Sequence, residues 1–326
     1  MTGEPIEGDF RLPRAQGGPN PQHLFVTLFG DYWWARSEHL PSAGLVALAN
    51  EFGISSASAR AALSRLRRRN LLSASKVGRH TYYGLAPTTR QTIVEGGTRI
   101  LSFGTDAGAE WDGTWLVVAF SIPEDQRDVR HTLRTRLRWL GFACLYDGVW
   151  VSAGGDASGA DAKAVVRECG IRDASVFRAT SLDAVGEDAG RHPLSAWDLD
   201  HLSAVYQDFI DRFEPLYQRI LDGDIRSSEA LVERTAVMDV WRSFPGLDPG
   251  LPSQVLPEGW PRHRAREVFS SVYDSLGPLA QVRFQHILSR YAPGLAPLVD
   301  HHLTTSGPMV PEQPADATGR VGHLPA

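Results

Sequence analysis

Between Phe52 and Val94 the chain carries eight Lys and Arg residues (Arg60, Arg65, Arg67, Arg68, Arg69, Lys76, Arg79, Arg90) and not one Asp or Glu. The whole chain has 33 basic and 38 acidic residues, so removing those eight leaves 25 against 38, a balance of minus 13. A strongly cationic segment inside an acidic protein favours a polyanion held locally, because the rest of the surface repels one. A solvated basic face is the other reading that charge alone allows.

The order of elements in and before this segment narrows the choice. His23 to Trp34 reads as a helix, with Leu24, Phe25, Leu28 and Phe29 at helical spacing. A second helix from Leu45 repeats apolar residues at Leu45, Val46, Leu48, Ala49 and Phe52, and Gly53 ends it in a left-handed conformation. A third helix runs to about Asn70, and Ser55 or Ser56 is placed to accept hydrogen bonds from its first free amides. Leu71 to Ser75 and Thr81 to Leu85 are short alternating runs joined by KVGRH, a β-hairpin with Gly78 at its turn. Helix, turn, helix and hairpin is the order of a winged helix.

In a helix-turn-helix the second helix buries one stripe and offers its other face to the major groove. Within SSASARAALSRLRRRN the buried stripe is Ala59, Ala62, Leu63 and Leu66. That leaves Ser55 at the cap and Ser56, Ser58, Arg60, Ser64, Arg67 and Arg68 facing outward. Small residues at the helix start let the backbone approach bases and phosphates, and Arg60 has the fork geometry for a bidentate contact with guanine. Arg67 and Arg68 lie farther along, suited to phosphates, and Lys76, Arg79 and His80 on the hairpin suit the adjacent backbone or minor groove. The competing reading is a winged helix used as a protein interface.

At 326 residues two or three domains are expected. The boundaries read as a disordered tail over 1–20, a winged helix over 21–95, a second domain over 110–185, a helical domain over 195–303 and a disordered tail over 304–326. The first twenty residues lack the basic start and apolar run of a signal peptide, and the longest uncharged apolar run, Thr114 to Ile122, is too short to cross a bilayer. A cytoplasmic protein without membrane attachment is therefore expected. Cys144 and Cys169 lie in separate elements, outside any metal or redox spacing, and read as reduced thiols.

Trp115 to Ile122 reads as a strand, Asp125 to Leu140 as an amphipathic helix and Phe142 to Ser152 as another strand. The helix has Val129, Leu133, Leu137 and Leu140 on one stripe and Arg130, Arg134, Arg136 and Arg138 away from it. A small-residue loop (GGDASGAD), a helix over Ala162 to Cys169 and a strand over Ala174 to Thr180 follow. Counting Trp150 to Ala153 separately gives β-α-β-β-α-β, the ferredoxin-like order. From Ser195 strand signals disappear. Ser195 to Leu221 is a long helix with Leu199, Leu202, Tyr206, Phe209, Phe213, Leu216 and Ile220 inward, expected to bend at Pro215. Two or three helices and the rigid linker PGLDPGLPSQVLPEGWP complete the chain.

The segments LFVTLFGDYWW, LANEFGISSASARAALSRLRRRNLL and WRSFPGLDPGLPSQVLPEGWPRHRAREVF resemble the family of the phenylacetic acid degradation repressor, PaaX, over about Leu24 to His302. The resemblance implies an α+β multidomain protein: an N-terminal winged helix, a central ferredoxin-like domain akin to the Cas2 nucleases, and an all-α C-terminal domain. It further implies a homodimeric repressor on double-stranded operator DNA, released by a small-molecule effector, phenylacetyl-coenzyme A or a related thioester. The chain departs from the usual pattern at Asn70, where Gly commonly ends the recognition helix; Asn also tolerates that conformation.

Coenzyme A phosphates favour a helix N-terminus flanked by arginines. Pro261 suits a first helical position, followed by Arg262, His263, Arg264 and Arg266, while Trp241, Phe244 and Trp260 are near enough in sequence to shelter an acyl group. The reading that charge and apolarity favour for these residues is the plainer one, in which the arginines solubilise a surface helix and the tryptophans fill a core. The likeness to Cas2 nucleases raises metal-dependent cleavage as an alternative, yet the first strand ends FSIPED, with Ser121 where those enzymes place a metal-binding Asp. His192, Asp198, Asp200 and His201 form a second conceivable cluster, with the two acids on different sides of a helix start. No catalytic residue, metal site or resident cofactor is expected, and no nucleophile-elbow, P-loop or dinucleotide motif occurs.

Overall fold

The structure, a computed structural model, describes residues 20–105, 111–154, 156–180 and 192–306. The tails expected at either end fall outside the described residues, apart from Asn20 and residues 304–306. The first element among the described residues is α1 (Pro21–Tyr32), capped by Asn20, whose Oδ1 accepts from the Gln22 amide at 3.0 Å. Then come β1 (Leu40–Pro41), α2 (Ser42–Glu51), α3 (Ser56–Arg68), β2 (Leu72–Val77), β3 (His80–Leu85) and α4 (Pro87–Ser102). The three strands form an antiparallel sheet in the order β1-β3-β2. Gly53 ends α2 at φ +71, and Asn70 follows α3 at φ +55, the one non-glycine at positive φ among the described residues.

Helix α4 has no counterpart in the sequence reading. Four Thr, two Ile, a Val and the pair Gly96–Gly97 within 16 residues give it weak intrinsic propensity, so local pattern does not announce it. Packing holds it instead, through the buried Thr89, Ile93 and Leu101.

The central segment runs β4 (Trp115–Phe120), α5 (Arg127–Trp139), β5 (Ala143–Tyr146), β6 (Val149–Ser152), α6 (Asp156–Glu168) and β7 (Ala174–Ala179). Its antiparallel sheet has the order β5-β6-β4-β7, the ferredoxin-like arrangement. One face buries Leu116, Val118 and Trp150 against Leu133 and Leu137 of α5 and Ala162, Val165 and Val166 of α6. The opposite face is a smaller cluster of Val117, Leu145 and Val151, flanked by Trp197.

Phe142 to Ser152 is a hairpin of two strands, in line with counting its last residues separately: Gly148 takes φ +81, and a Cβ there would lie 2.6 Å from the Phe120 carbonyl oxygen. One detail differs from the sequence reading. The expected small-residue loop is helical from Asp156. Gly159 lets α6 lie close to β4, since a Cβ added to it would already touch Leu116 at 3.4 Å.

The remaining helices are α7 (Leu199–Leu221), α8 (Ser227–Trp241), the one-turn α9 (Phe244–Leu247) and α10 (Arg262–Ser289). A short 3-10 turn over Pro193–Ala196 precedes α7, so that helix starts later than expected, and Pro215 lies inside it. The expected linker holds α9 residues and a second 3-10 turn, Ser253–Val255. None of the helices among the described residues is long and apolar enough to cross a membrane.

Contacts divide the chain into two compact units. The first holds the residues up to Ser102, Phe213–Arg242 and those from Phe269 onward; the second holds Phe103–Arg212 and Ser243–Val268.

Candidate nucleic-acid interface

Helix α3 and the β2–β3 hairpin lie in the first unit. Ala59, Ala62, Leu63 and Leu66 are buried, the stripe read from the sequence, against α1 and α2. Ser55 is the N-cap: its hydroxyl oxygen accepts from the Ser58 amide at 3.2 Å. The Ser56 hydroxyl donates to Asn50 Oδ1 at 3.4 Å, tying the start of α3 to the end of α2. These serines thus fix the start of α3 and the angle at which it leaves the turn. Ser58, Arg60, Ser64, Arg67 and Arg68 are exposed.

The hairpin is buried at its base and exposed at its tip. Val77 pairs with His80 across Gly78 and Arg79, with Gly78 at φ +58 as a two-residue hairpin turn requires. Lys76, Arg79 and His80 are all exposed around that tip. Arg60, Arg67, Arg68, Lys76 and Arg79 form no ion pair or side-chain hydrogen bond with any described residue. Arg69 differs, donating to Gln22 at 3.4 Å. The two groups of cations sit on consecutive elements, α3 and β2–β3, joined by the left-handed Asn70.

One positioning residue escaped the sequence reading. His39 makes hydrogen bonds with both the Ser75 hydroxyl (2.8 Å, Nδ1) and the Ser73 hydroxyl (3.0 Å, Nε2). Its ring occupies the place of a side chain on Gly84, where a Cβ would lie 2.3 Å away. The segment before β1 therefore pins the hairpin base, and burial with the nearby Arg90 charge holds the imidazole below its usual pKa. The only sequence signal was a lone histidine opposite two serines, which nothing local relates.

The residues read as an effector site are divided. Trp241 is fully buried in the first unit, stacked on Phe269 at 4.5 Å and donating to the Ile100 carbonyl at 3.1 Å. Trp260 lies in the second unit, edge-on to Tyr206 at 6.4 Å. Arg262 is 3.3 Å from Asp248 Oδ2 and donates to the Leu251 carbonyl at 2.6 Å. His263 and Arg264 are exposed on α10, both beside Glu267, and Arg266 is half-buried.

Ser121 stands just past β4, its amide bonded to the Asp173 carbonyl at 2.9 Å. No group of three or more His, Cys, Asp and Glu among the described residues is arranged to hold a metal ion. Asp198 Oδ1 instead accepts from the His201 amide at 3.0 Å, an ordinary helix-start contact.

This arrangement defines a multi-part α+β protein that presents a cationic helix and hairpin tip from its N-terminal segment. Three family profiles match it in succession: "PaaX-like protein" over residues 20–89, "PaaX protein central Cas2-like domain" over 108–190 and "PaaX-like protein C-terminal domain" over 197–286. The chain belongs to the PaaX family. It is 26% identical over 261 residues to the transcriptional repressor PaaX of Escherichia coli strain K12, covering 79% of this chain and 80% of that one. Among solved structures it resembles the uncharacterized protein Rv0674 from Mycobacterium tuberculosis, with a TM-score of 0.50 and 19% identity, covering 82% of this chain and 98% of that chain. That likeness is one of fold.

Proposed function

We propose that the chain is a cytoplasmic, non-enzymatic transcriptional repressor whose residues 21–95 form a winged helix, with α2 and α3 as the helix-turn-helix and β2–β3 as the wing. The observation that carries this reading is the set of five cations, Arg60, Arg67, Arg68, Lys76 and Arg79, that face solvent without an internal partner. Phosphate contacts are what such charges are fitted to make, and neutralising them dominates protein–DNA affinity. The repressor named among the chain's relatives supports the same function. The protein acts as a two-fold dimer on an inverted repeat, one α3 per half-site. Its effector is an aryl or acyl coenzyme A thioester, an assignment resting on family membership.

Footprinting on the protein's own promoter tests the reading, with a protected inverted repeat and salt-sensitive binding as the expected result. No protection, together with no salt-sensitive binding, overturns it. Adding phenylacetyl-coenzyme A, free phenylacetate and free coenzyme A to the complex tests the effector, and release by the thioester alone is expected.

A further inference from the structure

Within the first unit an open-mouthed cleft with room for about 100 Å³ lies among α1, α4 and α8. That room is on the scale of a single small ring rather than of a larger ligand, and its walls are mainly apolar, including Val26, Ile93, Leu101 and Met238. None of the six residues read as an effector site lines it.

The helices facing the cleft carry glycine, at Gly30 and Gly96 where a side chain would have room. Gly30 is on α1 and Gly96 and Gly97 are on α4, and all three line the space. A Cβ at Gly96 meets nothing within 4 Å, and one at Gly30 meets only Ile93 at 3.5 Å, an ordinary contact. Glycine inside a helix is destabilising relative to alanine, so these positions leave a flat slot open at a cost to the fold.

The second observation is at the polar end. Asp31 and His302 line the cleft, and each is only 6% exposed. Asp31 Oδ1 accepts from the Tyr273 hydroxyl at 3.1 Å, but Oδ2 has no hydrogen bond, and the Arg234 guanidinium is 3.7 Å from it. His302 Nε2 likewise has no hydrogen bond. Buried carboxylate oxygens are nearly always hydrogen-bonded, so an orphan acceptor beside an empty apolar slot calls for a donor from outside.

We propose that this cleft is a ligand site for a flat, one-ring apolar molecule bearing a hydroxyl donor, a phenol-type compound, with the ring between the glycine faces and the hydroxyl donating to Asp31. Helix α1 lines the cleft and also packs on α3, so occupancy biases the seating of α3. That coupling rests on the DNA-binding reading above; the site itself does not.

The test titrates the full chain with phenol, and with benzene as the ring without a donor, followed by calorimetry and ligand-observed NMR. Gly96→Leu fills the slot while replacing a helical glycine by a better helix former, so the thermal midpoint should not fall. Gly96→Ala is the milder variant, which keeps the test standing if leucine prevents folding. Phenol binding at least tenfold weaker in Gly96→Leu, intermediate in Gly96→Ala, and at least tenfold tighter than benzene binding in the unaltered protein is the expected result. No phenol binding up to its solubility, or equal binding to all three proteins, overturns the site; benzene binding as well as phenol overturns the role of Asp31. Operator affinity is measured separately with and without phenol: binding of phenol without change in operator affinity overturns the coupling alone, and absence of any operator binding counts against the repressor reading and not against the cleft.

Discussion

The fully buried guanidinium of Arg234 lies 3.7 Å from the centre of the Tyr273 ring. Its Nε donates to the Tyr273 carbonyl at 3.0 Å, and its remaining reach goes to the His302 carbonyl at 2.6 Å and to Asp31. A desolvated cation is tolerable only with such partners. Arg234→Met keeps most of the volume but leaves the Asp31 carboxylate without its counter-charge. Removing one member of a buried pair costs about 3–5 kcal/mol, and urea unfolding at pH 7 checks this. A loss below about 1 kcal/mol would show that the cation does not anchor this unit.

The same cluster sets a pH response. Burial lifts the Asp31 carboxyl from 3.8 to about 6, although Arg234 and the Tyr273 hydroxyl pull it down. Burial, aided by Arg234, pushes the His302 imidazole from 6.5 to about 4, with Asp300 opposing. A raised carboxyl pKa contributes stability that is present below 3.8 and lost as pH rises through 6. A depressed imidazole pKa contributes stability that is present above 6.5 and lost as pH falls through 4. Between pH 6 and 4 the two slopes oppose. Asp31→Asn removes one of them, so its stability should fall more steeply on acidification than that of the unaltered protein, by up to about 1.4 kcal/mol per pH unit. Equal slopes for the two proteins in urea titrations at pH 6, 5 and 4 would sink this assignment.

In the second unit two side chains hold Asp248 Oδ2, and the Gly250 amide donates to Oδ1 at 2.7 Å. Tyr206 donates its hydroxyl to Oδ2 at 2.5 Å, its ring stacked on Phe244 at 4.5 Å, and Arg262 lies 3.3 Å from the same oxygen. Burial, with the Asp248 charge, drives the Tyr206 hydroxyl well above its usual pKa, so it remains a donor. Tyr206→Phe should cost about 1–3 kcal/mol by leaving a buried acceptor short of one bond. Arg262→Ala should cost at least as much, because it uncovers a buried charge. Calorimetric scans read both, and an unchanged unfolding transition in Arg262→Ala would free that arginine for a ligand.

On DNA the two ends of α3 should behave differently. On the proposed helix-turn-helix reading Arg60, in the second turn, is the residue to reach base edges, so Arg60→Ala is expected to cost about 1–3 kcal/mol on the true operator and to relax discrimination. Arg68, at the last turn, should weaken all sequences alike on replacement by Ala and reduce the salt slope. Binding isotherms on operator and random duplexes across a salt series measure both, and equal losses of specific and random binding for the two variants would place Arg60 wrongly.

Much of the N-terminal segment was legible because its determinants are local. A stripe of period 3.6 names Ala59, Ala62, Leu63 and Leu66; a serine before it names the cap; Gly78 and Asn70 name the places where the backbone turns left-handed. Helix α4 was illegible for the same reason reversed, since its β-branched and glycine residues favour no helix until α1 covers Ile93. The start of α6 read as a loop because small residues look like a loop until a close neighbour, here Leu116, requires them.

By itself the sequence determined the succession of α1, α2, α3 and the hairpin, the exposed face of α3 and the cationic hairpin tip, since periodicity and capping act within a few residues. Tertiary structure alone decided which charges remain available. Arg60 and Arg262 look alike in the sequence, but Arg262 is engaged by Asp248, 14 positions away, and Arg234 is sheathed by Asp31, Tyr273 and His302 from distant parts of the chain. Whether a cation is a surface for a partner or a strut of the core depends on what the closed chain brings within about 4 Å of it, and Coulomb attraction at that distance is set by neighbours that no local pattern names.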